Sequence, residues 1–358
     1  MAHILVGEPA TTPDHVRGRL SPEYALAGSR MQAVLVTGGC GFIGRAVIAS
    51  LLADGVRFIR VVDDLSNGQP QQLQKLAPTE RSEAPRPPGA RIQLVVGDIR
   101  DGALARAACE GIDAIVHLAA NTGVPQSILE PLEDCTANVV GTVNYLEGAR
   151  RAGVRRFVVA SSAAAAGDCP PPVHENVVPH PISPYGASKL AGEAYCSAYA
   201  ASYGIRAVAL RFGNVYGPGS DRKQSVVAKF IREILAGEAI TVHGDGTQAR
   251  DFIYIDDLVR AIRRALVADD VAGEVFQIAT ARGTSILQLV QDLDHAFQAG
   301  GHPPIRVTFG PRRHGDVQEN FADTRKALER LGWRAEVELA DGLARTVRWA
   351  LGQMNEHV

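Results

Sequence analysis

The stretch Val34–Gly44, VLVTGGCGFIG, constrains the fold of this chain more than any other. An apolar, β-branched run leads into Gly38, Gly41 and Gly44, and the sequence then takes up helical spacing through FIGRAVIASLLADG. A strand, a glycine turn and a helix in that order make a phosphate-binding unit. The glycines let backbone approach a pyrophosphate closely, and the helix N-terminus offers free N–H groups and the positive end of its dipole. The next predicted strand, RFIRVVDDL, ends on Asp63, about twenty residues further on. A carboxylate there accepts both hydroxyls of an adenosine ribose and repels a 2′-phosphate, so the pattern favours NAD over NADP.

The same grammar continues downstream. RIQLVVGDI, DAIVHLAA and RFVVASS read as buried strands, with helical segments GALARAACEG and LEDCTANVVGTVNYLEGARRAG between them. Such alternation implies a parallel sheet covered by helices on both faces. The expected fold class is α/β, a Rossmann-type doubly wound parallel sheet with a smaller α/β C-terminal substrate lobe. Residues 1–30, with prolines and charges but no period, read as a poorly ordered extension. Residues 31–210 are expected to be mainly the dinucleotide-binding domain and to carry the catalytic groups. Residues 211–358, where the alternation loosens, are expected to be mainly the substrate lobe, the chain crossing back to the sheet. The Pro-rich APTERSEAPRPPGA, residues 77–90, reads as a surface loop.

Composition excludes several classes. At 46% apolar and 21% charged, the 358-residue chain has the make-up of a globular enzyme. A net charge of −2 gives no field for nucleic acid or an anionic membrane. No apolar run approaches the roughly 20 residues of a spanning helix, and the N-terminus lacks the pattern of a secretory signal. The five cysteines are scattered, with no C-x-x-C pair, and read as free thiols of a reducing, cytoplasmic compartment. No metal site is expected.

Two short stretches carry candidate chemistry. SSAAAAG (Ser161–Gly167) ends a buried strand in two hydroxyls and a patch of small residues. PYGASKL places Tyr185 and Lys189 on one helix face, with Pro184 suited to the first helical position. A tyrosine with its ordinary pKa near 10 is a poor base at neutral pH. A nearby ammonium and an oxidised nicotinamide both favour the phenolate, and a lowering of about three pH units corresponds to roughly 4 kcal/mol. His117, in HLAA, reads as a packed strand-end histidine.

With TGGCGFIG, DDLSNG, GDIRD, HLAA, NVVGT, SSAAAAG, PYGASK, RFGNVYGPG, RDFIYIDD and RRHGD in order from Met31 to about Arg348, the chain resembles the extended branch of the short-chain dehydrogenase/reductase family, in particular its nucleotide-sugar epimerases. The resemblance implies that NAD is held by Gly38, Gly41, Phe42, Ile43 and Gly44 of the glycine turn, and by Asp63, Asn67 and Gly68 beyond the second strand. It adds Asp98 and Ile99 near the adenine, Leu118, Ala119 and Ala120 along the dinucleotide, and Phe212. It makes Tyr185 the general base, Lys189 its partner and the anchor of the nicotinamide ribose, and Ser162 the proton shuttle. On the substrate side it implies that Asn214 touches the phosphates, Arg250 and Arg313 bind the diphosphate, and Asp316 contacts the uridine ribose. It further implies a homodimer built through a four-helix bundle from the helices near 133–152 and 185–204.

The alanines narrow the reaction. Related 4,6-dehydratases usually carry an Asp-Glu pair directly after the shuttle hydroxyl, and decarboxylases usually keep a glutamate in that region; here the positions are Ala163 and Ala164. Without acid and base there, elimination lacks its agents, and oxidation and reduction at C4 remain, which is the apparatus of 4-epimerisation. Asn320 stands where glucose-restricted epimerases carry a tyrosine, and Ala166 where the family often has an aromatic. The smaller Asn320 leaves room for an N-acetyl group at C2. The expected substrates are UDP-GlcNAc/UDP-GalNAc or UDP-glucose/UDP-galactose. A UDP-uronic acid or another nucleotide sugar, a dehydratase or reductase of the same superfamily, and a catalytically silent dinucleotide sensor are the alternatives. The intact Ser162, Tyr185 and Lys189 argue against the last.

Overall fold

The computed structural model describes residues 31–312 and 318–355; the N-terminal extension 1–30 lies outside them. The first part of the chain forms strands β1 (Ala33–Thr37), β2 (Phe58–Asp63), β3 (Thr79–Ser82), β4 (Ile92–Val96), β5 (Ala114–His117), β6 (Arg156–Ser162) and β7 (Arg206–Phe212). Shorter strands follow: β8 (Asn214–Tyr216), β9 (Ile240–His243), β10 (Ala249–Arg250), β11 (Phe252–Tyr254), β12 (Val275–Ile278), β13 (Thr284–Ser285), β14 (Val307–Gly310) and β15 (Glu319–Asn320). Eight of these make one sheet in the order β12-β7-β6-β5-β1-β2-β4-β3, every neighbouring pair parallel.

The strand sequences explain why helices cover both faces. Along β1, Val34 and Val36 point into one core with Val47, Ile48 and Leu51 of the helix Phe42–Ala53, whereas Leu35 points into a second core with Tyr145 and Leu146. A strand buried on both sides cannot alternate apolar with polar, which is why β1 reads as an unbroken apolar run. The expected doubly wound α/β fold is what the chain adopts. Strand order reverses between β1 and β5, so the crevice beyond their C-terminal ends is where ligands bind in such sheets.

Two features depart from the sequence reading. Residues 77–90 are not loop throughout, because Thr79–Ser82 pairs with β4 as the sheet's edge strand. Its polar sequence, TERS, hides it from hydrophobic patterning, and an edge is where polar residues are tolerated. The helical segments Pro131–Cys135, Thr136–Val140 and Gly141–Ala152 run on as one helix whose middle is wound as a π-turn. Beyond β7 the chain builds three small sheets, β8 with β11, β9 with β14, and β10 between β13 and β15, while β12 returns to the large sheet. No helix among the described residues is long and apolar enough to cross a membrane.

Candidate active site

The crevice is assembled from turns that leave the C-terminal ends of the central strands. Gly38 has φ +68°, and a Cβ on it would sit 2.8 Å from the Ala119 amide nitrogen; a Cβ on Gly44 would sit 2.3 Å from the Gly38 carbonyl oxygen. The two strand-end turns therefore touch backbone to backbone, and the helix Phe42–Ala53 starts directly behind them with Phe42 and Ile43 half-buried. Thr37 Oγ1 ties the turns together: it accepts from the Leu118 and Ala119 amides, each at 3.1 Å, and lies 2.9 Å from His117 Nδ1. His117 is buried against Tyr145 and Phe157, and burial depresses its pKa to about 3. It is a neutral packing histidine, as its place at a strand end suggests.

Asp63 closes the other wall. Its Oδ2 accepts from the Cys40 amide and its Oδ1 from the Leu65 amide, both at 2.9 Å. A carboxylate has about four lone-pair positions, so two remain for hydroxyl donors. Gly68 packs against Cys40 and Asp63, and Asn67 is exposed beside it. Asp98 is engaged differently, its carboxylate binding the Arg100 guanidinium at 2.6 Å, which holds it below the usual carboxylate range. Ile99 is buried under Gly141. The glycine cradle and the open valences of Asp63 fit the backbone approach and diol recognition that NAD requires.

The SSAAAAG stretch acquires its meaning here. Ser161 and Ser162 are the last residues of β6, Ala163–Ala165 make a 3₁₀ turn, and the turn forms the floor on which the helix Pro184–Tyr203 begins. A Cβ on Gly186 would lie 2.4 Å from the Ala164 carbonyl oxygen, so helix start and alanine turn are in backbone contact. Ser162 lies beside the Tyr185 phenol and lowers its pKa, and Lys189 Nζ donates to the Ala160 carbonyl at 3.0 Å. Ala160 and Ser162 share one face of β6, which is why tyrosine and lysine four apart on a helix converge there. Phe212 lies beside Ser162 in the register of β6 and β7.

The Tyr185 phenol lies above its ordinary value: burial raises it, the Ser162 hydroxyl beside it lowers it, and the Asp134 charge raises it again. Lys189 Nζ, 5.8 Å from the Tyr185 ring centroid and committed to Ala160, does not offset that burial. Lys189 itself is 9% exposed, and desolvation pushes its pKa down to about 8 against the pull of Asp134 and Glu193.

The substrate-side residues fall into two groups. Asn214 opens β8, its amide N–H and its Nδ2 both donating to the Asp251 carbonyl, at 2.8 and 3.2 Å. Arg250 and Asn320 are directly opposite each other in the β10–β15 pair. Arg313 and Asp316 lie outside the described residues. Ala166 is 1% exposed and so belongs to the core. Sequence reasoning missed four residues that build this neighbourhood. Asp251 accepts from Thr280 N and Oγ1 at 2.7 and 2.6 Å and ties β12's exit to β10. Asn138, inside the π-turn, grips the Asn121 backbone with both ends of its amide, at 2.8 and 3.0 Å. Glu193 and Arg211 form a buried bidentate pair, both bonds 2.8 Å. A π-turn at a functional site is a recurring association, but nothing in the sequence announces it.

A model of the NAD dependent epimerase/dehydratase family matches residues 34–279. The chain belongs to that family. Among its relatives is the UDP-glucose 4-epimerase of Mycolicibacterium smegmatis, 37% identical over 320 residues that span 88% of this chain and 97% of the relative. Among solved structures, a UDP-glucose 4-epimerase from Thermotoga maritima, determined with UDP-glucose, superposes with a TM-score of 0.80 at 34% identity and covers 90% of this chain and 99% of its own. A UDP-N-acetylglucosamine 4-epimerase from Methanobrevibacter ruminantium, in complex with UDP-N-acetylmuramic acid, superposes with a TM-score of 0.81 at 29% identity over the same shares. The resemblance to the nucleotide-sugar epimerases is borne out, and the cofactor of this epimerase/dehydratase family is NAD.

Proposed function

We propose that this family member is an NAD-dependent nucleotide-sugar 4-epimerase acting on UDP-sugars, UDP-GlcNAc/UDP-GalNAc or UDP-glucose/UDP-galactose. The observation that carries this reading is the convergence of Ser162, Tyr185 and Lys189 on the end of β6, with alanines and no carboxylate in the turn that follows. The glycine turn, Asp63 and Lys189 are the groups that would hold NAD. When bound, NAD supplies the acceptor, and later the donor, of one hydride. Tyr185, relayed by Ser162, takes the proton from the C4 hydroxyl and gives it back. The ammonium of Lys189 stabilises the phenolate during the interval. Arg250 and Arg313 keep the diphosphate anchored while the 4-keto sugar turns over about it, since a guanidinium fork suits phosphate oxygens. Hydrogen lost from one face of C4 returns to the other, and no net oxidation results. Elimination across C5 and C6 requires a carboxyl group that Ala163 and Ala164 do not provide.

The relative bound to UDP-N-acetylmuramic acid supports an N-acetylated sugar. So does Asn320, which is registered against Arg250 and is smaller than a tyrosine. Incubation with a panel of UDP-, GDP- and dTDP-sugars, read by NMR, tests the reading. A UDP-sugar and its C4 epimer are expected to interconvert without consumption of added NAD. Loss of oxygen from C6, or stoichiometric use of NAD, would replace epimerisation with dehydration or net redox chemistry.

The protein is further proposed to be a homodimer. Leu132 and Val140 on one helix and Tyr195 and Tyr203 on its neighbour are exposed, Leu132 to 73%. Large apolar side chains grouped on two packed helices mark an interaction face. Light scattering at micromolar concentration is expected to give twice the chain mass, and Leu132→Glu to give the monomer. A monomeric wild type contradicts the assignment.

A further inference from the structure

The helix Pro131–Ala152 buries a carboxylate beside the catalytic pair for which the reaction above has no use. Asp134 is 3% exposed. Its Oδ1 accepts from Asn138 Nδ2 at 3.0 Å, and its Oδ2 is buried with no hydrogen-bond partner. Asn138 Nδ2 also reaches Ser188 Oγ at 3.0 Å, and Ser188 Oγ donates to the Tyr185 carbonyl at 3.0 Å. Two side chains thus link Asp134 to the first turn of the catalytic helix, immediately before Lys189. A buried carboxylate oxygen without a donor is costly and calls for a compensating charge.

The groups that face Lys189 identify that charge. Its own helix contributes Tyr185 and Glu193, and β5 contributes His117, which is neutral. The end of β6 offers only the Ala160 carbonyl and the Ser161 and Ser162 hydroxyls. From β7, Arg211 occupies both oxygens of Glu193. Glu193 is therefore already neutralised by a guanidinium, and Asp134, which forms no direct ion pair with Lys189 but is tied through Asn138 and Ser188 to the turn that carries it, is the buried carboxylate left to act on Lys189 through space. We infer that Asp134 is a positioning residue: its carboxylate is the counter-charge that keeps the buried Lys189 an ammonium, while the Asn138–Ser188 relay fixes the helical turn that presents Tyr185. Burial alone drives Lys189 toward the neutral amine, and Asp134 is the leading opposing influence. The same charge raises the Tyr185 phenol, so the arrangement favours the cation at the expense of the phenolate.

The charge state of Lys189 is open to direct measurement, because the chain has only five lysines, Lys75, Lys189, Lys223, Lys229 and Lys326. In protein labelled with 13C at lysine Cε, the Lys189 resonance is assigned by its loss in Lys189→Met and titrated by NMR. The wild-type midpoint is expected near the value of about 8 set by its surroundings. Asp134→Asn keeps an acceptor for Asn138 and removes the charge. It is expected to lower the Lys189 midpoint by about one pH unit, the scale for losing a nearby opposite charge, and to move the alkaline limb of kcat to lower pH. Asp134→Glu should restore both. If Asp134→Asn does not fold, Asp134→Ala, which introduces no buried donor, is titrated in its place. An unchanged or raised midpoint in the variant overturns the role, as does a wild-type Lys189 that is already neutral throughout the neutral range. The kinetic consequence rests on the epimerase reading: a wild type that turns over no nucleotide sugar sinks that reading, while the titration still judges Asp134.

Discussion

Tyr185→Phe is expected to lower kcat by about 10²–10⁴-fold, the range contributed by a positioned general base, while bound NAD is retained. The substitution removes one oxygen and keeps the ring, so the contact of the helix start with the Ala163–Ala165 turn persists. What disappears is the phenol oxygen that lies beside Ser162. Without it, Ser162 has no base to pass the C4 proton to, and neither His117, which is buried and neutral, nor Lys189, bound to the Ala160 carbonyl, can replace it from its present position. Cofactor retention separates this outcome from collapse of the site, because the glycine turn and Asp63 are untouched. NAD released by heat from purified variant and wild type should be equal, and turnover measured by NMR should differ. A variant within tenfold of wild type would remove Tyr185 from the mechanism. In the active enzyme the phenol and the lysine titrate as a coupled pair. With the phenol above its ordinary value and Lys189 at about 8, the active phenolate–ammonium form is a minority of the singly protonated pair, and the rate should rise with pH as the pair loses its first proton and fall again as it loses its second.

The parts of this site that were legible in the sequence are those whose chemistry is local. Gly38 and Gly44 must be glycine because backbone meets backbone there, and that requirement leaves a spaced motif. Tyr185 and Lys189 meet because a helix repeats, and Asp63 because a strand of known length ends. The burial that raises the Tyr185 phenol depends on the alanine turn and the packed helix start, which spacing cannot show. Strand β3 was missed because TERS has no apolar period and is held by pairing with β4 alone. Asp134, Asn138 and Asp251 were missed for a related reason. Asn138 matters through contacts with Asn121 and Ser188, and Asp251 through Thr280. Such pairs form only when distant segments are folded together, so although Asn138 opens the NVVGT motif and Asp251 lies in RDFIYIDD, the motifs do not show which partners these side chains take.

The Glu193–Arg211 pair supplies the second large expected effect, on stability and not on turnover. Both side chains are 3% exposed, and the pair is bidentate, with Ser161 Oγ donating to Glu193 Oε1 at 2.5 Å. It joins the helix Pro184–Tyr203 to β7 and β6, one turn beyond Lys189. Removing one member leaves the other as an uncompensated buried charge, which costs about 3–5 kcal/mol. That is a large fraction of the roughly 5–15 kcal/mol that holds a typical protein folded. Arg211 Nη1 already lacks a partner, so Glu193→Leu should sit at the upper end of that range. Replacing both, as Glu193→Leu with Arg211→Met, removes the stranded charge together with its partner, and apolar replacement of a buried pair is often neutral or stabilising. The double variant is therefore expected to unfold at a higher urea concentration than either single variant. The residual loss should trace to Ser161, which keeps a buried hydroxyl without its acceptor. If the double variant is less stable than both singles, the pair contributes through geometry that leucine and methionine cannot reproduce, and the charge-based account of this layer fails. Activity measured in the double variant then shows whether the helix carrying Tyr185 and Lys189 needs the ion pair itself, or only a filled space, to face β6.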